Sequence, residues 1–556
     1  MNEEKKKVLP LGEDDFRTVI EEGYYYIDKS LFVKDFFDYK NKLSLITRPR
    51  RFGKTLNMTM LRDFLDITQD SRAIFDGLAI MSTEYANRIN TVPVISLSLK
   101  GCTGKSVEKI EASIAEEVFK EYRKYEKILD QVDKKESTYL RFFQVLKVLR
   151  NEEDKPIIEH IREKLTYIEN SLAYLAEALH TFYGVRPIVL IDEYDAPIIE
   201  AHVGGFRKAF TDFYATFLTT ALKGNVHVAQ AILTGIQRVA KESIFSKLNN
   251  VIVYSVLNER YAPYFGLTTH ETKKLLEDFG LELNDDVKSR YDGYVFSNVE
   301  IYNPWSILGY ANEKVLKNYW IKTSTNALVQ ESVLEADAAF HRAFETLIKE
   351  GTVKVRMNLE ASFAELPRTD TLWGLFVNAG YLTVTHQDYI LNRFIVRIPN
   401  EEIKSEFEEI VSAYTRLSSQ TLQDMLVALM DGAMDDFFSS YKTLVLESTS
   451  CHDSKENAYH MLMLGMVMNL RDLYDITSNI ESGHGRSDIM MKSKDAKRPH
   501  LVLEFKQGAN VEKLKYKALA QIEEKKYYTG LTGEVLCVGI AHDKKRCELV
   551  SKMLTV

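Results

Sequence analysis

One segment near the amino terminus constrains the fold more than any other. The apolar residues 43–47 are typical of a buried strand, and they are followed by the loop RPRRFGKT at residues 48–55 and by a helical pattern over residues 56–65. A strand, a loop ending in Gly-Lys-Thr and a helix are the context of a phosphate-binding loop. This order predicts an α/β fold whose parallel sheet carries the site at its strand ends.

Each residue at the end of this loop suits phosphate chemistry. Gly53 allows the backbone to approach closely, Lys54 reaches the β and γ oxygens, and the Thr55 hydroxyl can hold Mg²⁺. Arg48 stands where the general motif has its first Gly. A basic turn that only caps a helix is the alternative. We expect ATP and Mg²⁺ as ligands.

Two further strands end in polar residues that complete an ATPase site. One ends in Asp192 and Glu193, of which the first would hold Mg²⁺ and the second would polarise the attacking water. Another ends in Thr234, a candidate sensor of the γ-phosphate, and is followed by Arg238, a candidate trigger of hydrolysis. Helix capping or an exposed turn would explain the same residues without a function.

Alternating strands and helices predict a parallel sheet in the first half of the chain. The predicted strands are residues 43–47, 92–99, 188–192, 226–234 and 251–254, and residues 106–183 are expected to form a helical insertion outside the sheet. The predicted domains are an ATPase domain at 1–260, a small helical or winged-helix-like lid at 261–330, a mainly helical region at 331–440 and an α/β domain at 441–556.

The last domain carries a second candidate site within the order helix, strand, turn, strand, helix, strand. A side-chain period of two puts Glu504 and Lys506 on one face and Phe505 on the other. If the two strands pair as a hairpin, Asp488 falls beside Glu504. Two carboxylates and a lysine can bind Mg²⁺, activate a water and stabilise a phosphodiester transition state. A surface charge pair is the alternative.

Neighbouring residues favour the catalytic interpretation. A preceding helix carries Glu456 and His460 one turn apart. Residues 486–526 contain 11 Lys and Arg against 6 Asp and Glu, in a chain whose formal charge is −8. This local excess suits a phosphate backbone, although a solvated helix face would have the same composition.

The cysteines and the apolar runs indicate where in the cell the protein is expected. Four cysteines are scattered without metal-ligand spacing, and no apolar run in the 556 residues is long enough to span a bilayer. We expect a soluble, cytoplasmic protein without a membrane partner.

With these motifs, the chain resembles the bacterial AAA-ATPase-like family that carries a C-terminal PD-(D/E)XK nuclease-superfamily domain. The resemblance rests on residues 23–30, 48–55, 190–195, 234–238, 302–306 and 319–324. Arg48 is similar to the family's own usage, whereas Thr325 stands where the family more often has Gly. The resemblance implies a restriction-endonuclease-like fold for the last domain, Asp28 and Lys29 near the nucleotide edge, and a nuclease site made of Glu456, Asp488, Glu504, Lys506 and Gln521.

Three functions follow from these readings. The first is an ATP-binding and hydrolysing protein that regulates a metal-dependent nuclease acting on DNA or RNA. The second is an ATP-dependent switch whose C-terminal domain binds nucleic acid without cutting it. The third is an ATPase whose C-terminal acids are structural and whose helical regions dock a protein partner. A homo-oligomer is compatible with each.

Overall fold

A computed structural model describes most of the chain. The described residues are 8–150, 160–161, 163–238, 251–320, 332–333, 336–359, 368–388, 390–404, 407, 419–448, 463, 466–467, 470, 473–482, 485–544 and 546–556. The chain divides into two compact units. The first unit consists of Met1–Val329 and Lys354–Glu402, and the second consists of Gln330–Val353 and Ile403–Val556. Within the described ranges, no helix is both long and apolar enough to cross a membrane.

The first unit is built on a five-stranded parallel sheet. Its strands are β1 (Leu43–Thr47), β2 (Val94–Ser98), β3 (Ile188–Asp192), β4 (Ala231–Gly235) and β5 (Ile252–Tyr254), in the order β2-β3-β4-β1-β5. Every residue of β1, β3 and β4 is buried, as expected for parallel strands covered on both faces. This sheet is typical of a P-loop NTPase and confirms the predicted α/β fold.

β4 begins later than predicted. The side chain of Asn225 accepts a hydrogen bond of 2.9 Å from the backbone N–H of His227, which folds this segment into a turn and leaves Val226 exposed. The strand therefore starts at Ala231, although its apolar pattern begins five residues earlier.

Helices and short strands surround this sheet. Residues 106–183, predicted to be helical, form the crossover from β2 to β3 and contribute no strand in their described part. The α-helices of the unit are Phe16–Glu21, Leu31–Tyr39, Lys54–Leu65, Arg72–Phe75, Val107–Lys124, Ser137–Arg150, Leu165–Tyr183, Ala196–Val203, Arg207–Leu222, Thr269–Asp278, Asp285–Tyr291, Pro304–Glu313 and Thr369–Ala379. Three short strands, β6 (Leu267–Thr268), β7 (Tyr294–Phe296) and β8 (Val299–Tyr302), form one small antiparallel sheet. The strands β10 (Thr383–Asp388) and β11 (Arg393–Arg397) pair as a hairpin. The strand β9 (Thr352–Val355) contains the position at which the chain passes from one unit to the other.

The second unit contains a mixed sheet. Its strands are β12 (Tyr474–Ser482), β13 (Gly485–Ser493), β14 (His500–Gln507), β15 (Glu534–Asp543) and β16 (Arg546–Thr555), paired in that order, and its α-helices are Ala338–Glu350, Ser419–Met430, Met434–Ser448 and Val511–Lys525. Among these pairs only β14 and β15 run parallel. Two strands are not in the predicted order: β12 precedes it, and β16 closes the sheet after β15. This mixed sheet with its helix fits the expected nuclease-superfamily fold.

The two faces of this sheet differ. Leu503 and Phe505 of β14 pack with Tyr441, from the helix Met434–Ser448. Val502, which precedes Leu503 and points to the opposite face, packs with Ile522 from the helix Val511–Lys525. Because Glu504 shares the face of Val502, its carboxyl group lies on the side of the sheet that the latter helix covers.

Candidate functional site

The phosphate-binding loop leads directly into a helix. The helix Lys54–Leu65, here called the loop helix, begins after Gly53, whose φ of 79° lies in the left-handed region that favours glycine. Arg51 adopts a similar φ of 67°. The free backbone N–H groups at the start of the loop helix therefore face the loop, where they favour an anion.

The Lys54 ammonium group lies inside this loop. Its Nζ atom donates hydrogen bonds to the backbone oxygens of Arg48 at 3.2 Å and Pro49 at 3.1 Å, and the side chain is buried. Phosphate oxygens are acceptors that make stronger, charge-assisted bonds with an ammonium group. The loop thus fits a polyphosphate.

The loop helix and the ends of β3 and β4 bring together residues that suit a magnesium ion. The Thr55 hydroxyl donates to Asp192 Oδ2 at 2.6 Å, and the Thr234 hydroxyl donates to Asp192 Oδ1. Burial raises the pKa of Asp192, while the two hydroxyl hydrogen bonds act in the opposite direction. A hydroxyl and a carboxylate beside a phosphate loop are a donor set that Mg²⁺ accepts.

The residues after Asp192 hold the end of β4. Glu193 is half-buried and has a left-handed φ of 52°. The buried Asp195 accepts hydrogen bonds from the backbone N–H groups of Ile236 at 2.8 Å and Gln237 at 2.9 Å, and burial raises its pKa to about 6. The half-buried Arg238 follows directly. Sequence reasoning assigned no role to Asp195, and only its position in Asp-Glu-Tyr-Asp hinted at one.

Arg48 is accommodated beneath the loop. Its Nη1 atom donates to the backbone oxygens of Thr47 and Tyr254, both at 2.8 Å. Its guanidinium carbon lies 5.4 Å from the ring centre of Phe265 and 5.3 Å from that of Phe296. Burial lowers the pKa of Arg48 to about 9. Strand carbonyls and aromatic faces therefore stabilise a side chain at a position where the general motif has none.

Asp28 is placed differently from the loop residues. Its carboxylate accepts hydrogen bonds of 2.7 Å from the backbone N–H groups of Ser30 and Ala79. Among the hydrogen bonds of the described residues, none joins Asp28 to the phosphate loop. Lys29 forms an ion pair of 2.6 Å with Glu271.

A mainly apolar cavity of about 80 Å³ adjoins the loop helix and is lined in part by Ile27, Lys29, Gly53, Leu56, Leu267 and Leu308.

The second cluster forms where β13 pairs with β14. The antiparallel register sets Ile489 opposite Leu503, so that Asp488 and Glu504 come together one position further along. Asp488 Oδ2 accepts a hydrogen bond of 2.7 Å from the backbone N–H of Phe505. The backbone N–H of Asp488 donates to Glu504 Oε2 at 3.4 Å. The predicted hairpin arrangement of the two carboxylates is thus present.

Glu504 is the centre of this cluster. Its Oε1 atom accepts hydrogen bonds from Lys506 Nζ at 2.8 Å and from Gln521 Nε2 at 2.5 Å. Burial, reinforced by the nearby charge of Asp488, raises the pKa of Glu504 to about 7. Two carboxylates, an ammonium group and an amide therefore meet on one face of the sheet.

A close helix approach makes the contact of Gln521 possible. Gly539 of β15 pairs with Glu504, and a Cβ atom at Gly539 would lie 2.5 Å from the backbone oxygen of Lys515 and 2.6 Å from the backbone nitrogen of Leu519. Both atoms belong to the helix Val511–Lys525, here called the site helix. Any larger residue would push this helix away from the sheet. Sequence reasoning missed Gly539, because nothing near it in the chain indicates what packs against it.

The residues present fit a divalent cation. In the part of the chain that the structure describes, no three His, Cys, Asp or Glu side chains form a group able to hold a metal ion. Glu456 and His460 lie outside the described residues. Mg²⁺ is nevertheless often held by one or two carboxylates together with water, which Asp488 and Glu504 can supply.

Comparisons with known proteins agree with the two clusters. Residues 10–245 match the AAA-ATPase-like family, described as a predicted AAA-ATPase, and residues 454–552 match the PD-(D/E)XK nuclease superfamily. An uncharacterized protein in the vnfD 5′ region of Azotobacter chroococcum is 26% identical over 412 residues, which cover 73% of this chain and 70% of that protein.

A solved structure was also similar. The Walker-type ATPase of Pyrococcus abyssi superposes with a TM-score of 0.34 and 12% identity, over 68% of this chain and 95% of that one.

The family matches imply use of a nucleotide and a divalent metal. The chain therefore contains an AAA-ATPase-like domain over residues 10–245 and a PD-(D/E)XK nuclease-superfamily domain over residues 454–552.

Proposed function

We propose that the chain binds and hydrolyses ATP and thereby regulates a metal-dependent nuclease domain that cleaves DNA or RNA phosphodiesters. One observation carries the nuclease part of this proposal. Asp488 and Glu504 meet on adjacent strands, with the Lys506 ammonium group 2.8 Å from Glu504. A domain that only bound nucleic acid would have no need of two acidic groups, which repel a phosphate backbone.

In the ATPase domain, Lys54 would bind the β and γ phosphates, while Thr55 and Asp192 would hold Mg²⁺. When bound, this ion neutralises charge that develops on the phosphates. Glu193 would orient the attacking water, and Thr234 and Arg238 would sense and stabilise the γ-phosphate. The apolar cavity beside the loop helix suits one face of the nucleobase.

In the nuclease domain, Asp488 and Glu504 would hold a divalent cation. This ion supplies Lewis acidity and lowers the pKa of a bound water. The pKa of Glu504, raised to about 7, matters here because the carboxyl group must be ionised to bind a cation. Lys506 would place a positive charge beside the phosphate that is attacked.

Contacts of the phosphate loop support the regulatory step. The Arg51 guanidinium carbon lies 4.3 Å from the ring centre of Trp305, and its Nη1 atom donates to the backbone oxygen of Tyr319 at 3.2 Å. Trp305 Nε1 donates to the same oxygen at 2.9 Å. A change of the loop on nucleotide binding would therefore reach this pair of residues.

Glu402 extends these contacts to the end of the first unit. Its buried carboxylate accepts hydrogen bonds from the backbone N–H groups of Tyr319 at 2.6 Å and Trp320 at 2.9 Å, and from the Ser306 hydroxyl at 2.7 Å. The next residue, Ile403, belongs to the second unit. The covalent connection thus leaves the first unit beside residues that contact the phosphate loop.

The experiment that tests the proposal compares the cutting of plasmid DNA, single-stranded DNA and RNA with Mg²⁺ or Mn²⁺, with and without ATP. Wild type is compared with Asp488→Asn and with the control Asp475→Asn, which changes an exposed acid of the neighbouring strand. ATP hydrolysis is measured with Lys54→Ala and the exposed control Lys127→Ala.

We expect Asp488→Asn to stop cutting and to leave ATP hydrolysis intact, and Lys54→Ala to lose ATP binding and the effect of ATP on cutting. Cutting by Asp488→Asn at the wild-type rate would move the nuclease site elsewhere. Binding of nucleic acid without any cutting would favour the switch instead.

A further inference from the structure

Tyr527 returns to the nuclease cluster through the end of the site helix. Lys526 follows this helix with a left-handed φ of 51°. The backbone N–H of Lys526 then donates to the oxygen of Glu523 at 3.2 Å, and that of Tyr527 donates to the oxygen of Ile522 at 3.2 Å. These bonds reverse the chain, as at many helix ends, so that the Tyr527 ring packs beside Ile522 and Val502.

The Tyr527 hydroxyl contacts the amide group that reaches Glu504. Gln521 Nε2 donates to the Tyr527 hydroxyl oxygen at 2.9 Å and to Glu504 Oε1 at 2.5 Å. An ionised carboxylate only accepts hydrogen bonds, and the same oxygen also accepts from Lys506 Nζ. The group of Gln521 that faces Glu504 is therefore the NH₂ group.

Both hydrogens of this NH₂ group are used by the two contacts. Because the amide is planar, its carbonyl oxygen Oε1 lies on the side away from Glu504. Rotation of the amide by half a turn would exchange Nε2 and Oε1 of Gln521, so that Gln521 Oε1 would face the Glu504 carboxylate oxygen and repel it. Glu504 therefore selects the orientation of the amide, and the Tyr527 contact adds a second hydrogen bond that holds the NH₂ group in place.

We propose that Tyr527 is a positioning residue that holds the amide of Gln521, whose NH₂ group in turn orients the Glu504 carboxylate for a divalent cation shared with Asp488. The proposal rests on the proposed nuclease function. It is supported by the contacts of Glu504, because Oε1 accepts hydrogen bonds from Gln521 and Lys506, whereas Oε2 is the oxygen that faces the Asp488 backbone. Hard divalent cations take carboxylate oxygens as ligands. Tyr527 acts only through Gln521.

The direct test is Mn²⁺ binding to the full chain without nucleotide, measured by electron paramagnetic resonance. The signal of interest is the binding that Asp488→Asn abolishes. Tyr527→Phe keeps the packed ring and removes only the hydroxyl, and Tyr528→Phe is the matched control because the neighbouring ring packs against the same cluster. We expect the Mn²⁺ dissociation constant to rise about five- to tenfold in Tyr527→Phe, the loss typical of one hydrogen bond, and to stay unchanged in Tyr528→Phe.

A second measurement separates positioning from a general loss of structure. We expect the kcat of cutting to fall in Tyr527→Phe by a factor similar to that in Mn²⁺ affinity, with an unchanged KM for the nucleic acid. Gln521→Leu should weaken Mn²⁺ binding, and adding Tyr527→Phe to it should cause no further loss.

The outcomes distinguish this proposal from the nuclease function. Unchanged Mn²⁺ affinity in Tyr527→Phe, or losses that multiply in the double variant, would overturn the positioning role even if the wild type cuts nucleic acid. If the wild type cuts nothing but the Mn²⁺ results are as expected, the positioning role holds and the nuclease function fails. Absence of Asp488-dependent Mn²⁺ binding in the wild type would overturn the positioning role.

Discussion

Acidification should weaken the sheet behind the nuclease cluster through one histidine. His542 of β15 is buried, its Nε2 atom lies 2.9 Å from the Tyr441 hydroxyl, and its ring stacks on Phe505 at a centroid distance of 6.0 Å. Burial lowers the pKa of His542 from 6.5 to about 3. The neutral ring can accept the tyrosine hydrogen, whereas burial disfavours the charged ring because it removes the ring from water.

The size of the effect follows from the two pKa values. Above pH 6.5 the ring is neutral in both states, so it contributes no pH dependence there. Below pH 6.5 the His542 ring binds a proton in the unfolded chain but stays neutral in the folded chain. The free energy of unfolding therefore falls as the pH falls, until about pH 3. The loss is about 2 kcal/mol at pH 5, or about 30-fold in the opening equilibrium of this strand.

Hydrogen exchange of peptides from β15 measures this opening directly, after correction for the pH dependence of intrinsic exchange. Between pH 7.5 and pH 5, the wild type should lose about 30-fold more protection than His542→Gln, whose side chain stays neutral throughout. Comparing slopes rather than absolute values removes the cost of the substitution itself. Equal losses in the two proteins would refute the reasoning.

Three further predictions concern the two clusters. Glu193→Gln should keep ATP affinity and reduce the turnover of ATP about 100-fold, because a group that orients water supplies a factor of that order; unchanged turnover would show that another residue orients the water. Gly539→Ala should destabilise the second unit by about 1–3 kcal/mol in thermal unfolding and slow cutting, since its Cβ would overlap the site helix, whereas Gly101→Ala, which has open space, should do neither. Trp305→Phe removes the hydrogen bond to the Tyr319 oxygen and weakens the stacking of Arg51. It should therefore reduce the effect of ATP on cutting at least about twofold and leave ATP hydrolysis unchanged. An unchanged effect of ATP would show that the contacts of Arg51 with Trp305 and Tyr319 do not transmit nucleotide binding.

Much of the fold was predictable because it depends on local periodicity and chain order. The apolar strands and their polar ends located the phosphate loop and Asp192 before any packing was known. A period of two along β14 likewise predicted that Glu504 and Lys506 share a face, and a hairpin then brought Asp488 beside them. These inferences succeed because strand geometry repeats within a few residues.

The limits of the sequence were also physical. The apolar pattern before β4 predicted too early a start, because a side-chain hydrogen bond of Asn225 outweighed strand propensity. For Glu456, the resemblance remains the basis of the prediction, since that residue lies outside the described part of the chain.

The sequence by itself determined which residues could do chemistry and on which strands they stand. The tertiary structure alone decided how they are held: Asp195 fastens the end of β4, Gly539 admits the site helix, and Tyr527 meets the Gln521 amide. The reason is that these contacts depend on the distance between elements that are brought together only by packing. No periodicity in the chain encodes that distance, whereas a missing Cβ atom or a single hydroxyl group decides it.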